Sequence, residues 1–307
     1  MIKYYQSTPE SKRLTEIDAV AKDCWIHLES PNPDEIKKIS ELTELEESVF
    51  TSALDDEEVA HITFEDGIRI IFIDIPHRKD GKIFTVPLAL IQTSQHLVTV
   101  CNSKTLAFGD FFNGKIKNID TSNHNRLVYQ IMFNNASRFL YHLKLIDKAS
   151  DELQKDIKMS LKNREVMELL ELQKSLVFFS SSLNGNNTVV HKISFGMNKM
   201  PEEEREILED VIIETKQAVE MCSVSREILK STMDAFGSVV NNNQNRIMKF
   251  LTAITILFAV PTLFASLWGM NTGVPFQDAM WGFWVASGIA VVATAATAIW
   301  MFWKKMF

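Results

Sequence analysis

Cysteine is scarce in this chain. Cys24, Cys101 and Cys222 are far apart and odd in number. They read as buried thiols, which excludes a disulfide framework or a cysteine zinc site. No Gly-rich phosphate loop, no HExxH and no nucleophile elbow is present, and His61, His77 and His96 stand alone as core or surface residues. With no nucleophile–base pair and no ligand cluster in view, nothing points to an enzyme or to a bound cofactor. Lys and Arg number 32 against 39 Asp and Glu, for a net charge of −7 and a pI near 5.6, which argues against nucleic acid as a partner. No apolar N-terminal stretch follows a basic flank, so Met1 to Gln6 reads as a first strand and no cleaved signal peptide is expected.

Charge is missing altogether from two C-terminal runs, Phe250 to Leu267 and Ala279 to Trp303. Uncharged apolar runs of this length are candidate membrane spans. Arg246 and Lys249 precede the first, and Lys304 and Lys305 follow the second, while the link from Asn271 to Asp278 has neither Lys nor Arg. That asymmetry puts both chain ends in the cytoplasm and the link outside. Trp268, Trp281 and Trp284 then fall near the outer interface, and Trp300 and Trp303 near the inner one.

What stands between the spans is Trp268-Gly269-Met270-Asn271. A Gly-Met-Asn triplet after the first of two C-terminal spans, with Lys in a short tail, resembles the CorA magnesium transport family. Trp268 occupies the place where that family commonly has Tyr. Asn245, Met248, Thr252, Pro261 and Thr262 in and before the first span extend the resemblance. It covers the general layout of the whole chain, most strongly after Glu202. A second triplet, Gly196-Met197-Asn198, has no apolar span beside it and reads as a helix–helix turn.

Residues 1–120 form a mixed α/β domain by pattern. Asp23 to Leu28, Val59 to Phe64, Ile68 to Ile75, Ile83 to Ile91 and Leu97 to Cys101 read as strands, with Asp66-Gly67 and Asp80-Gly81 as turns. Ser30-Pro31-Asn32-Pro33 ends the first of these strands, and a helix follows with Pro33 near its start and Asp34 and Glu35 in its first turn. Residues 121–200 form a helical bundle. Leu127, Ile131, Phe139, Leu143 and Ile146 share one helix face. The pattern predicts a helix to about Leu183, a break at Asn184-Gly185-Asn186-Asn187, and a short helix from Thr188 to near Met197.

From Pro201 no stop signal appears before Trp268, and only Gly237 and Pro261 interrupt. One continuous helix is expected, on the order of 100 Å long at 1.5 Å per residue. Leu208, Thr215, Cys222, Leu229 and Phe236 recur every seven residues, as do Val211, Ala218, Ser225, Thr232 and Val239. Half of these are small or polar, which suits a loose multi-helix stalk rather than a tight dimer. The expected fold is therefore an α+β cytoplasmic domain joined to a long stalk helix (201–249) and two transmembrane helices (250–268 and 280–303). An external loop (269–279) joins the spans, and a basic tail (304–307) ends the chain.

Two spans cannot enclose a pore, so a channel requires several copies around an axis. Stepping back from Asn271 by helical turns gives Ser266, Thr262, Ala259, Thr255, Leu251, Met248 and Asn245. The outer part of this face is small or hydroxylic, the inner part apolar, and no carboxylate lies on it. The second span is apolar all round, and Ala290, Ala293, Ala295 and Ala296 suit packing against the first.

The resemblance implies a funnel-shaped homopentamer in the plasma membrane, with Gly269, Met270 and Asn271 as the selectivity filter. It implies gated uptake of magnesium, with cobalt or nickel as further cargo. It also implies sensing of internal magnesium by acids between subunits. By ungapped spacing from Asn271 these fall on Asp210, with Glu214 beside it, and by local pattern on Glu65 or Asp66. A zinc-transporting relative of the same fold is the alternative, against which the Met of the triplet argues. A non-conducting membrane-anchored sensor or scaffold is another.

Overall fold

The computed structural model describes residues 1–8, 13–65, 67–79, 81–104, 107–159, 163–276 and 279–304, without the side chains of 156–159, 163 and 165. Asp66, Asp80, Asp278 and Lys305 lie outside the described residues. The chain divides into two units, Met1–Ser231 and Thr232–Phe307.

The first unit is built on a seven-stranded sheet of order β2-β1-β3-β7-β6-β5-β4. Its strands are β1 (Ile2–Ser7), β2 (Leu14–Ile17), β3 (Trp25–Glu29), β4 (His61–Glu65), β5 (Ile68–Lys79), β6 (Lys82–Gln92) and β7 (Leu97–Cys101). Among the described residues, only the β3–β7 pair is parallel. Gly67 and Gly81 turn the hairpins with φ of 81° and 79°, a region that costs glycine little. Because side chains alternate across a strand, each central strand feeds two cores. Ile26, Leu28, Ile70, Phe72 and Ile91 face the helices α1 (Pro33–Thr43) and α2 (Glu47–Ser52). Trp25, Ile71, Ile73, Leu88 and Leu90 face the long helices on the other side. The β7 strand is buried along its whole length, as a strand covered on both faces should be.

Helix α1 starts as its sequence dictates. The Asn32 side chain accepts from the Glu35 N–H, and the Glu35 carboxylate accepts from the Asn32 N–H, with Pro33 in the first turn. The short elements β2, α2 and α3 (Gly109–Phe112) have no periodicity long enough to read in advance. Of the isolated histidines, His61 and His77 lie against the rings of Phe72 and Phe84, and His96 is buried. His27 is 3 % exposed and lies 2.8 Å from the Thr99 hydroxyl, which also accepts from the Trp25 indole at 2.9 Å. Burial lowers the His27 pKa to about 4, so it is neutral at physiological pH. Cys24, Cys101 and Cys222 are free and buried, and burial pushes the thiols of Cys101 and Cys222 up to about 11.

Helices α4 (His124–Met159) and α5 (Asn163–Ser194) lie side by side, with Phe139 and Phe179 rings 4.9 Å apart. Leu127, Ile131, Phe139, Leu143 and Ile146 are all buried, as their spacing predicts. The expected break at Asn184-Gly185-Asn186-Asn187 is absent: this stretch is helical within α5. Strand β4 begins at His61 opposite Phe72, so Asp74 lies beyond its reach. Asn186 fills the place of a strand neighbour. Its amide accepts from the Asp74 N–H and donates to the Asp74 carbonyl, both at 2.8 Å. Gly185 permits the approach, since a Cβ there would sit 3.0 Å from the Ala60 side chain. Tertiary hydrogen bonds thus override a local turn signal.

A short 3-10 turn at Met197–Lys199 carries the second Gly-Met-Asn between α5 and α6 (Glu202–Trp268), as read from the sequence. Helix α6 has 67 residues and passes through Pro261 without ending. Its heptad seam is buried at Leu208, Val211, Thr215, Ala218, Cys222, Ser225 and Leu229. The cover comes from the same chain. The Cys222 thiol meets the Leu176 carbonyl at 3.6 Å, Arg226 donates to the Ser180 hydroxyl at 3.1 Å, and Ser137 donates to Glu214 at 2.9 Å. The first half of the seam expected for a loose multi-helix stalk is thus packed against α4 and α5 of its own chain. In the second unit Thr232 and Phe236 are half-buried and Val239 is exposed.

Replacing Asn186 by Ala leaves the Asp74 N–H without its partner, while the Asp74 carbonyl keeps the Asn135 amide at 2.8 Å. Unfolding of the purified full chain by urea is expected to show a loss of about 1–3 kcal/mol, the cost of one orphaned buried group. Replacing the exposed neighbour Asn184 by Ala is the control and leaves the Asp74 bonds in place, so the midpoint should move far less.

Candidate ion pathway

The second unit contains the end of α6 and helix α7 (Gly282–Trp303). Among the described residues, these two helices are long and apolar enough to cross a membrane. A helix is what such a sequence must form, because in hydrocarbon every backbone group needs an internal partner. Trp281 and Trp284 at one end of α7, and Trp300 and Trp303 at the other, are all exposed. They are separated by about 24–33 Å at 1.5 Å per residue, close to the thickness of a bilayer core.

Helix α7 covers one side of α6. Ala253 and Met301 are fully buried, and Pro261, Phe264 and Trp268 are half-buried. Met248, Leu251, Thr255, Ala259, Thr262 and Ser266 are exposed. At about 100° per residue the two sets lie on opposite sides of the helix. Asn245 is exposed at the margin of the same stripe. The structure therefore gathers the expected pore-lining residues on the face that α7 leaves open. The α7 face differs in part from expectation. Ala290 and Ala293 are half-buried, as are Thr294 and Thr297, whereas Ala295 and Ala296 are exposed. The packing row steps by turns through Ala286, Ala290, Ala293 and Thr297 to Met301, so adjacent Ala295 and Ala296 point elsewhere.

The hydroxyls of the open stripe are half-committed. Thr255 donates to the Leu251 carbonyl at 2.9 Å and Thr262 to the Phe258 carbonyl at 2.7 Å. Each donor is spent inside the helix, so what remains of each group is its acceptor lone pairs. Pro261 lacks an N–H, which leaves the Leu257 carbonyl without its usual helical partner in the middle of the span.

The triplet follows directly. The Gly269 N–H donates to the Ala265 carbonyl at 3.0 Å, and Met270 and Asn271 are exposed in a bend beyond it. Gly269 is not in the left-handed region, so freedom of φ is not what calls for glycine here. A Cβ at this position would meet the Ala265 carbonyl at 3.3 Å, a tight contact. Beyond the triplet, Phe276 has a φ of 63° and its ring lies tilted against that of Trp281, 4.7 Å away. A Cβ on Gly282 would collide with the Phe276 carbonyl. This pairing of a strained Phe with a required Gly shapes the loop's return to α7, and no sequence motif announces it.

The expected regulatory acids are dispersed. Asp210 is exposed on α6 and lines an open groove with Asn118, Arg126, Gln130 and Ser137. Glu214, one turn on, is half-buried and accepts from Ser137. Glu65 is exposed at the end of the edge strand β4, and Asp66 lies outside the described residues. The Asp210 groove borders residues 116–118, part of the segment that Thr121 ties to Ser7 of β1. Among the described residues no three His, Cys, Asp or Glu side chains come together to hold a metal ion.

Known proteins resemble the chain over nearly its full length. The cobalt/magnesium transport protein CorA of Methanocaldococcus jannaschii is 28% identical over 284 residues, which is 87% of this chain and 86% of that protein. The magnesium transport protein CorA of Helicobacter pylori is 22% identical over 293 residues, covering 92% and 89%. The complete structure of the CorA magnesium transporter from Methanocaldococcus jannaschii superimposes with a TM-score of 0.83 at 23% identity, over 99% of this chain and 96% of that one. The full-length CmaX protein shares the fold with a TM-score of 0.72 at 16% identity, over 99% and 96%. The family model described as CorA-like Mg2+ transporter protein matches residues 21–305, and with both spans and the Gly-Met-Asn between them inside that match, this chain belongs to the CorA-like Mg2+ transporter family.

Proposed function

We propose that this protein is a gated, passive channel for magnesium, with cobalt as further cargo. It acts as a homopentamer in the plasma membrane with both termini in the cytoplasm. The observation that carries the reading is the stripe from Met248 to Ser266, exposed opposite α7, hydroxylic in its outer half and ending at Asn271. The names of the relatives, cobalt/magnesium and magnesium transport proteins, support the cargo.

Magnesium sheds water reluctantly. A ring of Asn271 carboxamide oxygens accepts hydrogen bonds from the waters of a hydrated ion rather than replacing them. Thr262 and Thr255, whose donors are spent on Phe258 and Leu251, continue with acceptors of the same kind. No carboxylate on the stripe traps the ion. The inside-negative potential draws two charges inward with about 4.6 kcal/mol per 100 mV. Met248 and Leu251 form an apolar constriction that closes by dewetting. Asp210, with Glu214, binds internal magnesium against Glu65 and Asp66 of a neighbouring copy. Asp210 and Glu65 are both exposed, as groups that meet a neighbouring copy must be.

Asn271→Ala removes the filter's acceptors. A hydrogen bond to a charged group contributes about 1.5–3 kcal/mol, so magnesium uptake into proteoliposomes should fall by more than about tenfold while the oligomer persists on gel filtration. Selective uptake at the parent rate would refute this role.

Met248→Ser with Leu251→Ser is expected to wet the constriction. A magnesium-sensitive dye inside the liposomes should report a leak several-fold above the parent at high internal magnesium. A variant that stays as tightly closed as the parent places the gate elsewhere.

Asp210→Lys replaces the bound ion's charge by a fixed one. Coupling free energies of about 1–3 kcal/mol correspond to at least about fivefold in affinity, so the internal magnesium needed for closure should shift by about that factor. Protection of α6 from protease by magnesium should fade in parallel. Unchanged protection, in this variant and in one lacking Glu65 and Asp66, would make these acids an ordinary solvated face.

A further inference from the structure

The two spans meet closely at one end and part at the other. Ala253 and Met301 are fully buried where α6 enters the apolar stretch and α7 leaves it. Toward the triplet a cleft of 430 Å³ opens between them. Its α6 wall steps by turns through Pro261, Ala265 and Gly269, and its α7 wall is Ala286, Ser287 and Ala290. These are small residues, yet the helices do not close on them, because the rings of Phe264, Trp268 and Phe283 stand at the cleft's edges. The groove is narrow and apolar, and it runs along the helices for about 12 Å, from Pro261 to Gly269.

We propose that this cleft binds one acyl chain of a phospholipid from the leaflet nearer the Gly-Met-Asn triplet. Position decides the occupant. The cleft lies below the Trp281 and Trp284 end of α7, at a depth where the available apolar material is the hydrocarbon of lipids. Pro261, Phe264 and Trp268 on its α6 side lie opposite the Thr255–Ser266 stripe and Ala265 and Gly269 at that stripe's flank, so in the assembly proposed above the cleft lies mainly on the side of α6 turned from the axis, toward lipid. This inference rests on that assembly for its orientation. The seated chain fills the space that the small residues leave and touches Gly269, the first residue of the triplet. Acyl-chain occupancy thereby supports the outer end of α6 where Met270 and Asn271 emerge.

The test uses the full chain in proteoliposomes with Trp281, Trp284, Trp300 and Trp303 replaced by Phe. Trp268 then reports on the cleft, and Trp25, buried in the first unit, is an internal reference out of reach of lipid. The probe is phosphatidylcholine brominated at mid-chain, added at a low fraction to unbrominated phosphatidylcholine. A cleft that encloses a chain quenches Trp268 saturably, and Ala290→Phe, which fills it, should cut that quenching by about twofold. Val292→Phe, on an exposed face of α7, should not. Ser287→Leu is the second filling variant and should act like Ala290→Phe. Quenching that is absent, or untouched by both filling variants, overturns the proposal. So does a disulfide joining two copies through Ala286→Cys, which would show a neighbouring chain in the cleft. Magnesium uptake by the same liposomes separates this from the channel reading. Uptake without cleft quenching overturns the lipid site alone, and cleft quenching without uptake overturns the channel alone.

Discussion

The constraint on which the rest depends is the continuity of one helix. Helix α6 carries core residues of the sheet-bearing unit at its start and an uncharged span at its end, in a single run of 67 residues. A helix satisfies its own backbone at every depth, which makes it the one element able to leave a solvated domain and enter hydrocarbon without a break. Everything else is arranged about it. Helices α4 and α5 bury its first half, and α7 covers one side of its last.

The same helix must present different chemistry on different sides, and the period of 3.6 residues sorts them. In the second unit one side holds Ala253, Pro261 and Phe264 against α7, and the other holds the hydroxyls and small residues. Thr255 and Thr262 show how a polar group is tolerated there. Each spends its donor on a carbonyl four residues back and keeps only acceptor capacity for a ligand. Acceptor oxygens of this kind suit a cation or its bound water better than an anion.

The soluble unit solves a different problem, that of a sheet whose edge strand β4 is shorter than its neighbour β5. Asn186 supplies from a helix the two hydrogen bonds that a strand would have made to Asp74. That one contact explains why an Asn-Gly-Asn-Asn stretch stays helical. The energy of two buried hydrogen bonds exceeds the local preference of Gly and Asn for turns.

By itself the sequence determined what depends on local composition and period. Two charge-free runs name the spans, the lack of stop signals between Pro201 and Trp268 names the long helix, and turn spacing back from Asn271 names the stripe. Most strands, the capped start of α1 and the buried face of α4 were legible for the same reason. Tertiary structure alone decided what depends on partners distant in the chain. It buried the first half of the heptad seam on α4 and α5, kept α5 whole through Gly185, and turned Ala290 rather than Ala295 toward α6. It also set the Phe276 carbonyl against Gly282, a pairing no motif marks. A spacing says which residues share a face, but the surface that arrives to cover that face is set by packing across the whole fold.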